Sequence, residues 1–322
     1  PDCLRLIVER RFRPVKNLPM SALHKNTPLI ESPALSASAG RKVLLKMETG
    51  QAPGSFKIRG IGLACQEYAS HGAKRFISSS GGNAGIAVAY AGNLLSVPVV
   101  VVVPETTTDK AKTLIRNQDA EVIVHGDSFL EANELAMSMV SETDAFLHPF
   151  DDPLVWKGHS SLVDEIVQSG EKPDAIVVSV GGGGLISGIL EGLHRNQWND
   201  VPVLAVETHG ADSLAQSVKA GHSIELGSIS SIATSLGARR VCGQAFEWTR
   251  QHPVQNVVVS DQAAVEACLA FIDDHGEVVE PACGAALSVA YGGAPELAAF
   301  DSVLIIVCGG VTASREQLAQ WT

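Results

Sequence analysis

Short apolar runs alternate along the chain with alanine-rich segments whose apolar positions recur at helical spacing. The runs are rich in Val, Ile and Leu, which is typical of strands in a parallel sheet covered by helices on both faces. The predicted strands are KVLLKME, RFISSS, PVVVVVP, EVIVHG, AIVVSVGGGG, PVLAVE and SVLIIVCGG. Segments such as IGLACQEYASHG and NAGIAVAYAGNLL lie between them as predicted helices. The pattern therefore predicts an α/β fold with open, mostly parallel sheets.

The predicted strands fall into two groups. The first runs from about residue 50 to about residue 150, and the second begins at AIVVSV. The stretch LHPFDDPLVWKGHSS between them is predicted as a loop because it is rich in Asp, Pro and His. This grouping indicates two α/β units with a cleft between them. Ligands in such folds bind beyond the carboxyl ends of the strands and at domain interfaces.

Composition narrows the function to small-molecule chemistry. The 322 residues are 45% hydrophobic and carry a net charge of −11, from 24 basic and 35 acidic residues, with no long basic block. This argues against nucleic acids and anionic membranes as partners. No apolar run reaches the roughly 18–20 residues that a membrane helix needs. The six cysteines form no CxxC pair and the ten histidines no HExxH, so we expect reduced thiols, a cytoplasmic location and no zinc site.

The most specific stretch is SVGGGGLISG, residues 179–188, where four glycines follow a predicted strand and precede a predicted helix. Bare backbone lets an anion approach closely, and the helix presents its free N–H groups. The residues interpreted as a phosphate cradle are Gly181, Gly182, Gly183, Gly184 and Leu185. A tight turn is the structural alternative. A NAD-binding dehydrogenase using Gly182, Gly184 and Glu207 is the alternative of another class, although Ser187 stands where GxGxxG needs its last glycine.

A second loop of this kind is SSSGGNAG, residues 78–85, which offers a hydroxyl from Ser80 and an amide from Asn83. A helix start with several such donors suits a small carboxylate. Helix capping by Ser or Asn is the structural alternative.

The stretch GSFKIRG, residues 54–60, places Lys57 on a glycine-flanked turn. Pyridoxal 5′-phosphate needs an amine for its aldehyde, an anion site for its phosphate and a partner for its pyridine nitrogen. A phosphate cradle, a carboxylate cradle and a glycine-framed lysine in one chain therefore favour this cofactor. The lysine must be partly desolvated so that its pKa falls and free amine is present.

With these three stretches, the chain resembles the serine/threonine dehydratase group of the β-family (fold type II) pyridoxal-phosphate enzymes, and its serine dehydratases in particular. The stretches that carry the resemblance are TPLIES, LLKMETGQAPGSFKIRG, SSSGGNAGIAVAYA, VVVPETTTDKAK, WKGHSSLVDEI, VSVGGGGLISG, AVETHGA, SLGA, EPACGAALS and IIVCGG. The resemblance implies a tryptophan synthase β-like fold of two doubly wound, three-layer domains. The large cofactor-binding domain would comprise residues 18–49 and 152–322, and the small substrate-carboxylate domain residues 50–151. Residues 1–17 are not covered and are predicted to be an N-terminal extension.

The resemblance also implies a role for each matched residue. Lys57 would bind the cofactor covalently and act as the base at the substrate Cα. Phe56 would pack beside the cofactor ring, Asn83 would bond its 3′-hydroxyl, and Cys308 would face its pyridine nitrogen. The residues that would hold the substrate carboxylate are Ser80, Gly81, Asn83 and Ala84. The residues that match the monovalent-cation site, for K⁺, are Gly181, Glu207, Ala211, Leu236 and Ala238.

The implied reaction eliminates water from L-serine, or from L-threonine, and the product then hydrolyses to pyruvate or 2-oxobutyrate and ammonia. The resemblance also implies a role in amino-acid catabolism and a homodimer. A neutral thiol at Cys308 suits this elimination, because it leaves negative charge at Cα that expels the β-hydroxyl; a small buried hydrophobe is the structural alternative. Serine racemase, threonine dehydratase and O-acetylserine sulfhydrylase activities share the scaffold. Ser80 is the candidate acid for a minor racemase activity. For Glu280, an orienting role near the cofactor and a structural role are equally supported.

Overall fold

Two β-sheets organise residues 21–321, the part of the chain that the computed structural model describes. The strands of the larger sheet are β1 (Leu29–Glu31), β2 (Lys42–Met47), β7 (Ala175–Ser179), β8 (Val203–Thr208), β9 (Val254–Val259) and β10 (Ser302–Val307). The strands of the smaller sheet are β3 (Arg75–Ser78), β4 (Val99–Val103), β5 (Glu121–Val124) and β6 (Asp144–Phe146). The predicted extension at residues 1–17 lies outside the described residues.

The larger sheet has the strand order β1-β2-β10-β7-β8-β9, and the smaller sheet the order β5-β4-β3-β6. All neighbouring strands run parallel except β1 and β2. In the centre of the larger sheet, Leu304 of β10 is in register with Leu44 on one side and Ile176 on the other. The predicted fold class, α/β with open and mostly parallel sheets, is confirmed.

Helices connect the strands. They are α1 (Pro33–Ala39), α2 (Lys57–Ser70), α3 (Asn83–Leu95), α4 (Asp109–Arg116), α5 (Phe129–Ser138), α6 (Pro153–Gln168), α7 (Gly184–Arg195), α8 (Ser213–Ala220), α9 (Gly243–Gln251), α10 (Asp261–His275), α11 (Pro281–Tyr291) and α12 (Arg315–Ala319). Within residues 21–321, no helix has the length and apolarity needed to cross a membrane. The five cysteines in this part of the chain are buried and free of disulfides.

Side chains alternate across the smaller sheet and enter two separate hydrophobic clusters. Phe76 and Val101 belong to the cluster that also contains residues of α2 and α3. Ile77 and Val100 belong to the cluster on the other face, together with Ala132 of α5. Both faces of the sheet are therefore covered, which is why its strands read as continuous apolar runs rather than alternating ones.

All seven predicted strands form, and β1, β6 and β9 were not predicted. β1 and β6 have only three residues each, and β9 is a partly exposed edge strand that contains two polar residues, Gln255 and Asn256. The predicted loop LHPFDDPLVWKGHSS is wrong from Pro153 onward, because α6 begins there. The Asp152 side chain accepts a hydrogen bond from the Leu154 N–H at 2.8 Å, so it caps the helix, and Pro153 occupies the first helical turn, where proline is tolerated.

Helices α2 and α6 pack against each other through glycines. A Cβ at Gly60 would lie 2.5 Å from the carbonyl oxygen of Val155, and one at Gly158 would overlap the carbonyl oxygen of Arg59. Any larger residue at either position would push the two backbones apart. This close contact fixes the position of the α2 start, where Lys57 is the first helical residue.

A buried ion network joins the start of α2 to the end of β2 and to α6. The Arg59 guanidinium donates to Glu48 at 2.7 Å and to Glu165 at 2.6 Å, and the Lys46 ammonium lies 2.5 Å from a Glu165 oxygen. The side chains of Arg59 and Glu48 are fully buried, and that of Glu165 is 9% exposed. Two cations and two carboxylates thus neutralise each other behind Lys57.

Candidate active site

Backbone hydrogen bonds bring the segment before Lys57 against the carboxyl end of β10. The Phe56 N–H donates to the Cys308 carbonyl at 3.1 Å, and the Gly310 N–H donates to the Gly54 carbonyl at 3.2 Å. Ser55 and Gly309 form an isolated antiparallel bridge between these two bonds. Lys57 and Cys308, separated by most of the chain, are therefore held close together.

The Lys57 amine lies in a partly buried position. Its Nζ donates to the Pro149 carbonyl at 3.0 Å and lies 5.0 Å from the centre of the Phe56 ring. Burial lowers the pKa of the Lys57 amine to about 8, against the opposing pull of Glu280 and Cys308. A substantial fraction of free amine is therefore present near neutral pH, which a nucleophile or base requires.

The predicted phosphate cradle follows β7 and leads into α7. No side chain fits on the loop: a Cβ at Gly182 would overlap the Phe150 ring, and one at Gly181 would lie 2.8 Å from the Leu236 Cα. Gly183 has a φ of +88°, a conformation that glycine adopts without strain. The N-cap residue of α7 is Gly183, and no side chain in the described part of the chain caps this helix. The glycines therefore leave an uncapped helix start bounded by backbone, which is the form of an anion site.

Phe150 connects this cradle to Lys57. Its ring lies against Gly182, its neighbour Pro149 accepts the hydrogen bond from Lys57, and its own carbonyl accepts from the Trp156 indole N–H at 2.7 Å. Neither Pro149 nor Phe150 was singled out from the sequence. Every residue type has a backbone carbonyl, so the sequence does not indicate that Pro149 accepts this bond.

The predicted carboxylate loop leads from β3 into α3, whose first residue is Asn83. Among the described residues no side chain caps α3, and the Ser80 hydroxyl instead accepts a weak bond from the Gly82 N–H at 3.4 Å. A Cβ at Gly81 would lie 2.5 Å from the Thr107 hydroxyl, and Ala84 is buried in the helix. The helix-capping interpretation of this loop is therefore wrong, while its role toward a carboxylate stays a prediction.

Asn83 is bonded to Glu280, and this pairing was not predicted. The Asn83 Nδ2 donates to Glu280 Oε1 at 2.8 Å across 197 positions of sequence. The other amide atom, Asn83 Oδ1, is buried and has no hydrogen-bond partner among residues 21–321. Burial raises the pKa of Glu280 to about 7, although bonds from Ser235 and Asn83 and the charge of Lys57 act in the opposite direction.

The Cys308 thiol stays protonated. A hydrogen bond with Cys283 and burial together raise its pKa well above the ordinary value. Cys283, which provides this bond, is fully buried in the core. The arrangement offers a neutral sulfhydryl at the end of β10, as the predicted elimination chemistry needs.

Two of the residues predicted to hold a cation, Glu207 and Ala211, lie at the end of β8. The Glu207 carboxylate accepts bonds from the Leu214 and Ala215 N–H groups, at 2.9 and 2.7 Å, and so caps α8. Burial raises the pKa of Glu207 to about 8. Gly181 and Leu236 are in contact, whereas no cluster of three His, Cys, Asp or Glu side chains suited to a metal ion occurs between residues 21 and 321.

Comparison with known proteins extends these observations to nearly the whole chain. The family described as "Pyridoxal-phosphate dependent enzyme" matches residues 20–309. A human protein named L-serine dehydratase/L-threonine deaminase is 44% identical over 307 residues, covering 92% of this chain and 94% of that protein. The L-serine dehydratase of Dictyostelium discoideum is 42% identical over 319 residues, covering 92% and 91%.

Solved structures agree with these sequence matches. A fungal L-serine ammonia-lyase from Rhizomucor miehei superposes with a TM-score of 0.90 at 35% identity, covering 94% of this chain and 98% of that one. Maize serine racemase superposes with a TM-score of 0.84 at 27% identity, covering 92% and 91%.

Proposed function

The chain belongs to the pyridoxal-phosphate dependent enzyme family, and from this premise we propose that it is an L-serine and L-threonine ammonia-lyase. The reaction eliminates water, and hydrolysis of the resulting enamine then takes up water and releases ammonia, giving pyruvate from serine or 2-oxobutyrate from threonine. The observation that carries the proposal is the Lys57 amine, whose pKa is lowered to about 8 and which lies beside the end of β10. The similarity covers 92% of the chain, and it gives the dehydrogenase alternative no support.

The residues present fit pyridoxal phosphate. A glycine loop that admits no side chain at Gly181 or Gly182 leaves room for a phosphate at the start of α7. The buried Ser179 hydroxyl and Asn83 Oδ1 have no partner and are available to a ligand. We assign the cofactor to Lys57, Phe56, Asn83, the loop from Gly181 to Leu185, and Cys308.

When bound, pyridoxal phosphate supplies an aldehyde that bonds covalently to an amine and a ring that accepts negative charge from Cα. Lys57 Nζ takes the proton from the substrate Cα and returns a proton to the departing β-hydroxyl, which leaves as water. The released enamine then hydrolyses to the keto acid and ammonia. Cys308 would supply a neutral thiol to the ring nitrogen, so that the negative charge stays near Cα for the elimination.

The α3 start would bind the substrate carboxylate through Ser80, Gly81, Asn83 and Ala84. The uncapped N–H groups of α3 support this assignment, because a carboxylate needs several donors at one place. Ser80 is also the candidate acid for racemization. Ser80→Ala is expected to weaken serine binding, and D-serine formation, measured by chiral chromatography, tests the racemase role separately.

Lys57 provides the decisive experiment. The purified protein is expected to be yellow, and serine is expected to yield pyruvate, detected with lactate dehydrogenase. Lys57→Ala is expected to lose the visible band and to reduce turnover by about 10²–10⁴-fold. Lys74→Ala, at an exposed lysine, is the matched control. A wild-type protein that stays colourless after addition of pyridoxal phosphate and yields no keto acid would contradict the proposal.

We further propose a K⁺ site formed by Gly181, Glu207, Ala211, Leu236 and Ala238. The buried Glu207 carboxylate supports it, because a nearby cation would favour the ionised form that burial disfavours. Turnover is expected to be higher in KCl than in NaCl, and Glu207→Gln is expected to remove the difference. Equal wild-type rates in the two salts would argue against a functional cation.

The assembly of the protein is also a proposal. We propose a large domain of residues 18–49 and 152–322 and a small domain of residues 50–151, supported by the assignment of β1, β2 and β7–β10 to one sheet and β3–β6 to the other. A homodimer is expected by light scattering. A cytoplasmic location is supported by the buried, free thiols, which are typical of a reducing compartment.

A further inference from the structure

Glu280 is a buried carboxylate that the proposed reaction does not use. It precedes α11 as its N-cap residue and is 7% exposed, yet its side chain makes no capping bond to that helix. Acidic N-cap residues ordinarily bond the first N–H groups of their own helix. Here the carboxylate is directed elsewhere, and Gly310 packs against the Glu280 side chain, since a Cβ at Gly310 would lie 2.7 Å from the Glu280 Cβ. The absence of a side chain at Gly310 therefore leaves room for that of Glu280.

Donors from three separate segments meet the Glu280 carboxylate. Oε1 accepts from Asn83 Nδ2 at 2.8 Å, and Oε2 accepts a weak bond from the Thr312 hydroxyl at 3.5 Å. The Ser235 hydroxyl also acts on the carboxylate and lowers its pKa. Of these, the bond to Asn83 is the short one, and Asn83 is the residue assigned above to the cofactor.

The bond to Glu280 decides which way the Asn83 amide faces. An ionised carboxylate only accepts hydrogen bonds, so it selects the NH₂ side of the amide. The carbonyl side, Oδ1, is then left buried and without a partner. An unpartnered buried acceptor is costly unless a ligand supplies a donor, so the amide is prepared to accept from a ligand hydroxyl.

We propose that Glu280 is a positioning residue that orients the Asn83 amide toward the bound cofactor and exchanges a proton within the working pH range of the site. The proposal rests on the proposed function, since it names the residue that orients one of its cofactor contacts. A protonated Glu280 also donates, so it no longer selects one side of the amide. The orientation of Asn83, and with it the hydrogen bond offered to the cofactor, is then coupled to pH.

The groups that face Glu280 support a titration near neutrality. Burial raises its pKa to about 7, and the donors Ser235, Asn83 and Thr312 and the charge of Lys57 at the start of α2 lower it. The charge of Glu280 in turn raises the pKa of the thiol of Cys308 at the end of β10 and of Cys268 on α10. Lys57 is thus the one cation that acts on Glu280 among these neighbours.

The visible absorption of the holoenzyme provides the test, because it reports the protonation of the cofactor ring and of the nitrogen bonded to Lys57. The wild-type spectrum is expected to change with a midpoint near pH 7. Glu280→Gln is expected to abolish that transition and to weaken cofactor binding about tenfold in a fluorescence titration, from loss of the oriented acceptor. Glu277→Gln, at a nearby exposed acid, is the matched control and is expected to keep both properties.

Thr312→Val provides a second test, because it predicts the direction in which the midpoint of the spectral transition moves. Removing a donor that lowers the pKa of Glu280 is expected to move the midpoint to higher pH, whereas a purely structural role leaves it in place. This variant decides the matter if circular dichroism shows that Glu280→Gln does not fold. A pH-independent wild-type spectrum, a transition retained in Glu280→Gln, or a midpoint unmoved by Thr312→Val overturns the proposal. A wild-type protein with no visible band at all instead refutes the proposed function.

Discussion

Replacing Arg59 by methionine removes the central cation of the buried ion network at the start of α2. Glu48 and Glu165 then lose a fully buried partner, and Lys46 is the one cation left in the network. Breaking a buried ion pair from one side costs about 3–5 kcal/mol, because a charge stays behind without compensation. With an unfolding entropy of about 0.7 kcal/mol/K for 322 residues, the melting temperature is expected to fall by about 4–7 °C.

Urea unfolding followed by far-ultraviolet circular dichroism at pH 7.5 measures this loss. Arg240→Met is the matched control, because Arg240 pairs with Glu225 at 2.9 Å with side chains 60% and 43% exposed. Such an exposed pair contributes at most about 1 kcal/mol. A loss for Arg59→Met that stays within about 1 kcal/mol of wild type, or equals that of Arg240→Met, would refute the reasoning.

The stability loss in Arg59→Met is also expected to depend on pH, in a direction that follows from the pKa of Glu165. Burial raises the pKa of Glu165, but bonds from Arg59 and Lys46 outweigh it, so the net shift is downward. A carboxyl with a lowered pKa contributes stability above its unfolded pKa and loses it as the pH falls through the folded value. In Arg59→Met, burial raises the pKa of Glu165 with fewer bonds to oppose it, so Glu165 becomes protonated at a higher pH. The destabilisation is therefore expected to shrink between pH 7.5 and pH 5.

Three further outcomes test the site and its supports. Gly182→Ala is expected to weaken cofactor binding at least about tenfold, because the added methyl group overlaps the Phe150 ring. Gly243→Ala is the control, because there is open space around Gly243. Equal cofactor affinities of the two variants would argue against the phosphate cradle. Since the pKa of Lys57 is about 8, the rate at which Lys57 bonds covalently to added pyridoxal phosphate is expected to rise about tenfold from pH 6 to 7 and to level off above about pH 9. Stopped-flow rates that still rise at pH 10 would indicate that the pKa of the amine is not lowered. Asp152→Ala is expected to cost about 1–2 kcal/mol in urea unfolding through loss of the α6 cap, and a cost below about 0.5 kcal/mol would show that the cap contributes little.

Local sequence predicts those parts of the fold and site that depend on local chemistry. The apolar runs identify all seven predicted strands, of which six are largely buried and β5 is a partly exposed edge strand of four residues. The glycines at 181–184 mark a loop that must be free of side chains. The three-residue strands β1 and β6 are too short for a periodic pattern, and β9 lies at an edge where polar residues are tolerated.

Contacts between residues that are far apart in the sequence were not predicted, for a different reason. The bond between Asn83 and Glu280 joins residues 197 positions apart, and the Lys57 partner is a carbonyl that any residue type would provide. The stretch from Pro153 onward forms a helix although its Asp, Pro and His content predicts a loop, because Asp152 and Pro153 are the N-cap and the first residue of that helix. Residue types alone contain no distance information, so these contacts required the three-dimensional structure.

The central place of β10 has a consequence for how the protein is made. All four strands of the smaller sheet lie between residues 75 and 146, whereas the larger sheet needs residues 302–307 to join β2 to β7. Pairing across so long a stretch must offset a large loss of chain entropy, so it is slow. During synthesis we expect the smaller sheet to form first and the larger one to close only when β10 has left the ribosome. Because Phe56 is bonded to Cys308, the Lys57 amine acquires its enclosed surroundings in this last step, and the nascent chain stays inactive until then.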